Sequence, residues 1–169
     1  MDAGLLITRL VFGLLMAVHG SQKLFGWFGG PGVGGSAAFL EGLGFRPGRL
    51  FALANALAEC GGGALLALGL LEPAAAAAIG SVMIVAIATV HWPNGLLAST
   101  NGIELPLLYL TAAVSLALTG PGGYSLDAML GFNEWWTPRL TAIVLAGGIV
   151  GGIATLGMRH RVAAAAHAQ

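Results

Sequence analysis

Residues 50–91 read LFALANALAECGGGALLALGLLEPAAAAAIGSVMIVAIATVH, which is two apolar runs joined by Glu72 and Pro73. A helix needs about 20 mostly apolar residues to cross a bilayer, and each run is close to that length. Pro73 is typical of the first turn of a helix, where its missing N–H removes no hydrogen bond. Because the link is so short, the two runs are predicted to form antiparallel transmembrane helices that are neighbours in the bundle.

The same pattern continues on both sides of this pair. Five spans are predicted, at about 3–25, 50–71, 74–91, 103–119 and 139–157. We therefore expect an all-α fold, a polytopic transmembrane helix bundle with a four-helix core plus a fifth C-terminal span. Residues 1–158 are expected to form a single transmembrane domain, and residues 159–169 a frayed C-terminal tail. No basic region precedes the first apolar run, so it is interpreted as a retained span and not as a signal peptide.

The composition excludes several classes of protein. Charged residues make up 8% of the chain, against about 25% in ordinary soluble domains. Hydrophobic residues reach 57%, and the mean hydropathy is +0.86, which excludes a soluble globular domain. The net charge of zero leaves no basic surface for a phosphate backbone, which excludes a nucleic-acid partner. Cys60 is the only cysteine, so an internal disulfide, a CxxC redox centre and a thiolate zinc site are excluded, and no metal site is predicted.

The distribution of lysine and arginine predicts the orientation in the membrane. The side with the first loop, the third loop and the C-terminus carries Lys23, Arg46, Arg49, Arg159 and Arg161. The other side carries Arg139, and Arg9 lies inside the first span. The positive-inside rule then places the first loop and the C-terminus in the cytoplasm and the N-terminus outside, in a bacterial-type inner membrane.

Polar residues inside a membrane are costly, which makes each of them a candidate for function. An up-and-down bundle brings six candidates for ligand binding or proton exchange toward one membrane side: His19, Lys23, Asn55, Glu59, His91 and Glu104. Glu59 is the deepest of them, roughly 13 Å from the nearer end of its helix at a rise of about 1.5 Å per residue. We predict that His19, Glu59, His91 and Glu104 line one pocket that opens toward the first loop.

Structural interpretations compete with the functional ones. Glu59 is either a structural partner of Arg9 or of backbone groups, or a carboxyl that exchanges protons or contacts a ligand. Lys23 is near enough to its helix end to reach the membrane interface, and His91 is placed to cap the C-terminus of its helix. Residues 101–104, NGIE, fit a capping box in which the glutamate binds the N-cap amide.

Two further predictions concern structure alone. Arg9 in the first span and Asp127 in the fourth loop are expected to form an ion pair, within about 4 Å, that holds the loop over the bundle. The glycine run at 61–63, beside Glu59, is expected to allow a neighbouring helix to approach closely.

Several motifs occur in the order that is typical of one family. They are Arg9, HGSQKLFG at 19–26, GGPG at 29–32, ECGG at 59–62, His91, NGIE at 101–104 and GPGGYSLD at 120–127. Together they resemble the DoxX family, from the first helix to the loop after the fourth, over about residues 5–128. The fifth span and the tail lie outside this resemblance.

The resemblance implies a small four-helix membrane protein related to the membrane subunit of a thiosulfate:quinone oxidoreductase. Members are often linked to redox or oxidative-stress systems, and the fold carries over better than the activity does. We therefore expect a subunit of a membrane redox complex that binds a quinone or similar lipid-soluble head group between its helices. His19 and His91 are expected to hold the carbonyl oxygens, while Glu59 or Glu104 exchanges protons.

Two alternatives come from other functional classes. One is a noncatalytic scaffold that anchors a partner protein, whose motifs serve folding and docking. The other is haem binding through His19 and His91, which is less favoured because neither histidine has a haem-binding signature. The sequence has no nucleotide loop, flavin fingerprint or dithiol, so no intrinsic cofactor is expected. Membrane lipid is expected around the bundle, together with a protein partner or a second copy of the chain.

Overall fold

The computed structural model describes residues 1–160, which form helices and connecting loops without a strand. The α-helices are α1 Asp2–Phe25, α2 Gly32–Gly42, α3 Gly48–Leu68, α4 Glu72–Ala86, α5 Glu104–Thr119, α6 Leu126–Leu130 and α7 Pro138–Gly157. The prediction of an all-α helix bundle is confirmed. The predicted frayed tail, residues 159–169, lies outside the described residues from residue 161 onward.

The helices differ in whether they can cross a membrane unaided. Four segments are long and apolar enough to do so: Asp2–Phe25, Gly48–Leu68, Glu72–Asn94 and Pro138–Gly157. Helix α5 is apolar but has 16 residues. At about 1.5 Å per residue it rises roughly 24 Å, less than the roughly 30 Å of a bilayer's hydrocarbon core. The span expected at 103–119 is therefore a short apolar helix beside four full-length ones.

The local sequence explains where several helices begin and end. Helix α1 ends because Gly26 adopts the left-handed conformation, with φ of 75°, and its N–H donates to the Gln22 carbonyl at 3.2 Å. Pro138 occupies the first turn of α7, and the Thr137 hydroxyl caps that turn by accepting from Leu140 N at 3.2 Å. These caps fix the points at which the chain leaves and re-enters the bundle.

Helix α4 continues beyond its regular α-helical part. The chain runs through a π-helical turn, Ile87–His91, and then a 3-10 turn, Trp92–Asn94. The Asn94 side chain caps this end by donating to the Val90 carbonyl at 3.0 Å. Turns of the π type recur at functional sites, and this one places His91 at its last position.

Glycine residues allow α1 and α3 to approach closely, and this pair forms the most extensive interface of the bundle. A Cβ atom on Gly13 would lie 2.7 Å from the Gly63 carbonyl oxygen, which no real structure tolerates. On the other side of α3, a Cβ atom on Gly62 would lie 3.2 Å from Ile79 of α4. The predicted close approach is therefore confirmed at Gly62 and Gly63, whereas Gly61 faces open space.

The hydrophobic core lies between α1, α3, α4 and α5. Its buried side chains include Met16, Leu66, Ile79, Met83 and Leu116. Helix α7 packs on the outside of α4, and its buried residues are Thr141 and Gly152 alone. The structure thus has the predicted four-helix core with a peripheral fifth helix.

The two ends of the bundle carry different loops. The C-terminal end of α7 meets the first loop, since Arg159 Nε donates to the Leu43 carbonyl at 2.5 Å and His160 N donates to the Gly44 carbonyl at 2.9 Å. The first loop, the third loop and residue 160 therefore share one end, named here the first-loop end. The fourth loop lies at the opposite, fourth-loop end. The first-loop end is the one predicted to face the cytoplasm.

Candidate functional site

An ion pair joins α1 to α3 toward the first-loop end. Lys23 Nζ lies 2.5 Å from Glu59 Oε1, and no other ion pair occurs among residues 1–160. The Glu59 side chain is 3% exposed and that of Lys23 is 34% exposed. Glu59 therefore pairs with Lys23 and not with Arg9, and the Lys23 ammonium group turns into the bundle instead of only reaching the interface.

The two oxygens of Glu59 are in different situations. Oε1 accepts from Lys23, and it also lies 3.5 Å from the side-chain amide nitrogen of Asn55, one helical turn away. Oε2 is buried and has no hydrogen-bond partner. A buried polar atom without a partner costs about 1–3 kcal/mol. A ligand that donates a hydrogen bond to Oε2 would remove this cost.

Two cavities meet at the ion pair. The α5-side cavity has a volume of about 270 Å³, and Met16, His19, Met83, Pro106 and Tyr109 are among its lining residues. The α2-side cavity has a volume of about 400 Å³, and Gln22, Ser36, Phe39, Leu40, Asn55 and Thr89 are among its lining residues. Lys23, Glu59, Ala86 and His91 line both. The larger cavity falls in the range of about 300–1,000 Å³ that is typical of ligand sites.

His91 presents one ring nitrogen to the loop and leaves the other free. Its Nδ1 lies 2.8 Å from the Asn101 carbonyl oxygen. Because a carbonyl only accepts, Nδ1 carries the hydrogen, and Nε2 of a neutral ring is then an acceptor. The predicted role of His91 as a helix cap is wrong, since its bond goes to the third loop and Asn94 supplies the cap.

The α5-side cavity brings His19 next to an aromatic residue that was not among the candidates predicted from the sequence. The rings of His19 and Tyr109 are perpendicular, with centroids 5.9 Å apart. Tyr109 and Glu59 line the same cavity. A tyrosine within the apolar run of α5 is the sequence signal that could have identified it, because a phenol inside a membrane needs a polar partner.

Glu104 does not join the other candidates. Its carboxylate accepts a hydrogen bond from Ala98 N at 2.7 Å in the third loop, and it lines neither cavity. The predicted capping box is wrong as well. Asn101 adopts a left-handed conformation, with φ of 62°, and its N–H is taken by the Ala98 carbonyl at 3.0 Å. Glu104 thus stabilises the fold of the third loop through this hydrogen bond.

The predicted ion pair between Arg9 and Asp127 is also wrong. Both side chains are fully buried at the fourth-loop end, but no nitrogen of Arg9 lies within 4.0 Å of an Asp127 oxygen. Arg9 Nη2 donates instead to the Tyr124 carbonyl at 2.6 Å. The Asp127 carboxylate is occupied by N–H donors from Leu71 and Glu72, at 2.8 and 3.2 Å. The fourth loop is held over the bundle as expected, but through backbone groups.

The geometry at the first-loop end supports hydrogen bonding and proton exchange. Lys23 and Tyr109 supply donors, Glu59 Oε2 supplies a free acceptor, and Nε2 of neutral His91 supplies a second acceptor. Of the predicted site residues, the structure brings His19, Lys23, Asn55, Glu59 and His91 around the two cavities. Within residues 1–160, no group of three or more His, Cys, Asp or Glu side chains could hold a metal ion.

Comparison with known proteins gives one match. The model of the DoxX family matches residues 4–92, more than half of the 169 residues. No curated protein and no solved structure matches the chain. The matched segment contains α1, α3 and α4 with its π turn, and therefore the Lys23–Glu59 pair and His91. The chain belongs to the DoxX family.

Proposed function

We propose that this protein is the membrane subunit of a redox system and binds a quinone or a similar lipid-soluble head group at Glu59. The observation that carries the proposal is the Glu59 carboxylate in the wall between two cavities, with Oε1 held by Lys23 and Oε2 buried without a partner. An intramembrane carboxyl in such a position is suited to a ligand that both gives and accepts hydrogen bonds.

The polar groups around the cavities match the chemistry of a quinone head group. A quinone presents two carbonyl oxygens, which accept hydrogen bonds from the Lys23 ammonium group or the Tyr109 hydroxyl. The hydroquinone presents two hydroxyl groups, which donate to Glu59 Oε2 and to Nε2 of neutral His91. Interconversion of the two forms moves two electrons and two protons. Glu59 and His91 exchange the protons, and a partner protein of the redox system exchanges the electrons.

A third cavity provides room for the isoprenoid tail. It has a volume of about 410 Å³, with Phe45, Phe51, Ala54, Thr155 and Met158 among its lining residues. Leu40, Asn55, Val82 and Val85 line both this cavity and the α2-side cavity. A ligand with its head at Glu59 can therefore extend an apolar tail past Asn55, toward the gap between α3 and α7.

The partner and the location follow from the same proposal. Because the sequence has no nucleotide loop, flavin fingerprint or dithiol, we propose that a second membrane-associated protein supplies electrons. We place the complex in a bacterial-type inner membrane, with the first-loop end in the cytoplasm, on the basis of the basic residues at that end.

Quinone binding to the purified protein tests the proposal. The parent is compared by titration calorimetry with Glu59→Gln and His91→Ala, and with Glu134→Gln as the control, because Glu134 is exposed in the fourth loop. Hydrogen bonds to charged groups contribute about 1.5–3 kcal/mol, so each site variant should bind about 10- to 100-fold more weakly. The control should bind as the parent does.

Other outcomes point to the alternative functions. No binding by the parent, or unchanged binding by both site variants, would favour a scaffold that anchors a partner protein. A porphyrin absorption band in the purified protein, lost in His19→Ala and His91→Ala, would favour haem binding.

A further inference from the structure

A second polar cluster lies at the opposite end of the bundle from Glu59. Arg9 of α1, Glu72 at the start of α4 and Asp127 of α6 are each 0% exposed, and the charge of Arg9 acts on both carboxyl groups. Gly69 permits this arrangement, because a Cβ atom there would lie 2.7 Å from the Arg9 guanidinium carbon. Along the sequence, Glu72 stands out only as part of a short link.

The hydrogen bonds within this cluster are distributed unequally. The Asp127 carboxylate accepts three N–H donors, from Leu71 N, Glu72 N and Trp136 Nε1, at 2.8, 3.2 and 3.1 Å. Both oxygens of the Glu72 side chain are buried without a partner. Arg9 binds the Tyr124 carbonyl, but its Nε and Nη1 are also without a partner. Glu72 is therefore the member whose charge has the least compensation.

The charges of the cluster do not balance. One guanidinium faces two carboxyl groups, so the fully ionised cluster would bury one uncompensated negative charge, which is costly in a membrane. The remaining charged groups at this end are the Met1 amino group, Asp2, Glu134 and Arg139. All four residues are exposed and cannot supply a buried counter-charge. A single proton on the carboxyl that lacks N–H donors makes the cluster neutral.

A cavity connects Glu72 with the fourth loop. Its volume is about 330 Å³, and its lining includes, besides Glu72, the polar residues Thr119, Asn133, Trp136 and Thr141. Water in such a cavity has several hydrogen-bond partners. This cavity is the route proposed below for the exchange of a Glu72 proton with solvent at the fourth-loop end.

We propose that Glu72 is a proton-binding site, neutral at neutral pH, which exchanges its proton through the cavity beneath the fourth loop. The site uses none of the residues that line the quinone cavities, and it does not depend on quinone binding.

Infrared spectroscopy of the full-length protein in lipid vesicles is the decisive test. A protonated carboxyl has a C=O band that an ionised one lacks, and this band shifts in heavy water if the proton exchanges. The parent should show the band at neutral pH, Glu72→Gln should lose it, and Glu134→Gln should keep it. Labelling all glutamates with carbon-13 in the parent shifts a glutamate band and not an aspartate band, so the band is assigned to a glutamate even if Glu72→Gln fails to fold. Persistence of the band in Glu59→Gln then excludes the other buried glutamate.

Chemical labelling gives a second readout. Dicyclohexylcarbodiimide reacts with the protonated acid, which adds across the N=C bond and rearranges to a stable N-acylurea. Mass spectrometry should find this adduct at Glu72 in the parent and in Glu59→Gln, and not at Asp127, whose carboxylate oxygens accept three N–H donors. Identical infrared spectra for the parent and Glu72→Gln, with no glutamate C=O band at neutral pH, would overturn the proposal.

Discussion

Lys23 Nζ lies 2.5 Å from Oε1 of Glu59, 36 residues further along the chain, and so links α1 to α3 across the most extensive interface of the bundle. The pair lets a carboxylate sit at depth in a membrane protein without leaving its charge uncompensated. It also holds the charge at one oxygen, which leaves the other oxygen directed to no protein donor.

Loss of one partner of this pair should destabilise the fold more than loss of both. Lys23→Met leaves the Glu59 carboxylate buried without its counter-charge. Breaking a fully buried pair costs about 3–5 kcal/mol, and we expect about 1–3 kcal/mol here because Lys23 is partly exposed. The double variant Lys23→Met, Glu59→Gln should recover most of this loss in thermal unfolding in detergent. Arg49→Gln, at an exposed position, should change stability by less than about 0.5 kcal/mol. Equal losses in the single and double variants would contradict the prediction.

Substitution by alanine should have opposite effects on stability at Gly61 and at Gly63. A Cβ atom at Gly63 would meet the backbone of Gly13 at 2.6 Å, whereas one at Gly61 would meet nothing within 4 Å. Gly63→Ala should cost about 1–3 kcal/mol through overpacking, and Gly61→Ala should gain up to about 1 kcal/mol from its helix propensity. Melting temperatures of the two variants, measured side by side, give the comparison. A stable Gly63→Ala variant would mean that α1 and α3 are further apart.

Glu104 should matter for the third loop and not for ligand binding. Glu104→Ala removes the acceptor for Ala98 N, so amide exchange at Ala98 should rise about tenfold, equivalent to about 1.4 kcal/mol. Glu104→Gln keeps an acceptor oxygen and should have a smaller effect. Quinone affinity should be the same in both variants and the parent. A large loss of affinity in Glu104→Gln would return this residue to the binding site.

The proposed tail path should distinguish ligands by length. Ala54 is exposed and lines the third cavity, which is proposed to hold the isoprenoid tail. Ala54→Phe can therefore fill this cavity without disturbing the core. This variant should bind a quinone with an isoprenoid tail at least tenfold more weakly and a short-tailed analogue with unchanged affinity. An equal loss for both ligands would place the tail elsewhere.

Reporter fusions test the predicted orientation. A reporter after residue 160 should be active in the cytoplasm, and one inserted beside the exposed Asn133 in the fourth loop should be active outside. Activity of the C-terminal fusion outside the cytoplasm would reverse the orientation, and with it the side from which the Glu59 cavities open.

The helices could be predicted from the sequence because their signal is local. Apolar runs and caps such as Gly26 depend on residues within a few positions of each other. Counting residues along those helices was enough to predict at which end of the bundle each polar residue lies. Arg9 and Asp127 were thus assigned correctly to one end, and His19, Lys23 and His91 to the other.

The partners of the polar residues could not be predicted in the same way. Which groups meet depends on the rotation of each helix about its axis and on the path of the loops. Arg9 faces the carbonyl group of Tyr124 and the carboxyl group of Glu72. In the sequence, Glu72 is recognisable only as part of the short link between two predicted spans. Glu104 binds within the third loop because that loop brings the backbone N–H of Ala98 to its carboxylate. These outcomes are set by contacts between distant parts of the chain.

The π turn Ile87–His91 has a consequence for how this bundle tolerates changes in length. A π turn contains one more residue than the α-helical turn that would replace it, so it acts as a one-residue insertion absorbed within a helix. Deleting one residue within the turn would restore regular winding and leave the flanking residues in place, whereas deleting one from the regular part of α4 would rotate everything after it by about 100°, the angle per residue of an α-helix. His91 would then leave both cavities while the apolar character of the span stayed the same. The winding of α4, and not its hydrophobicity, determines where this imidazole lies.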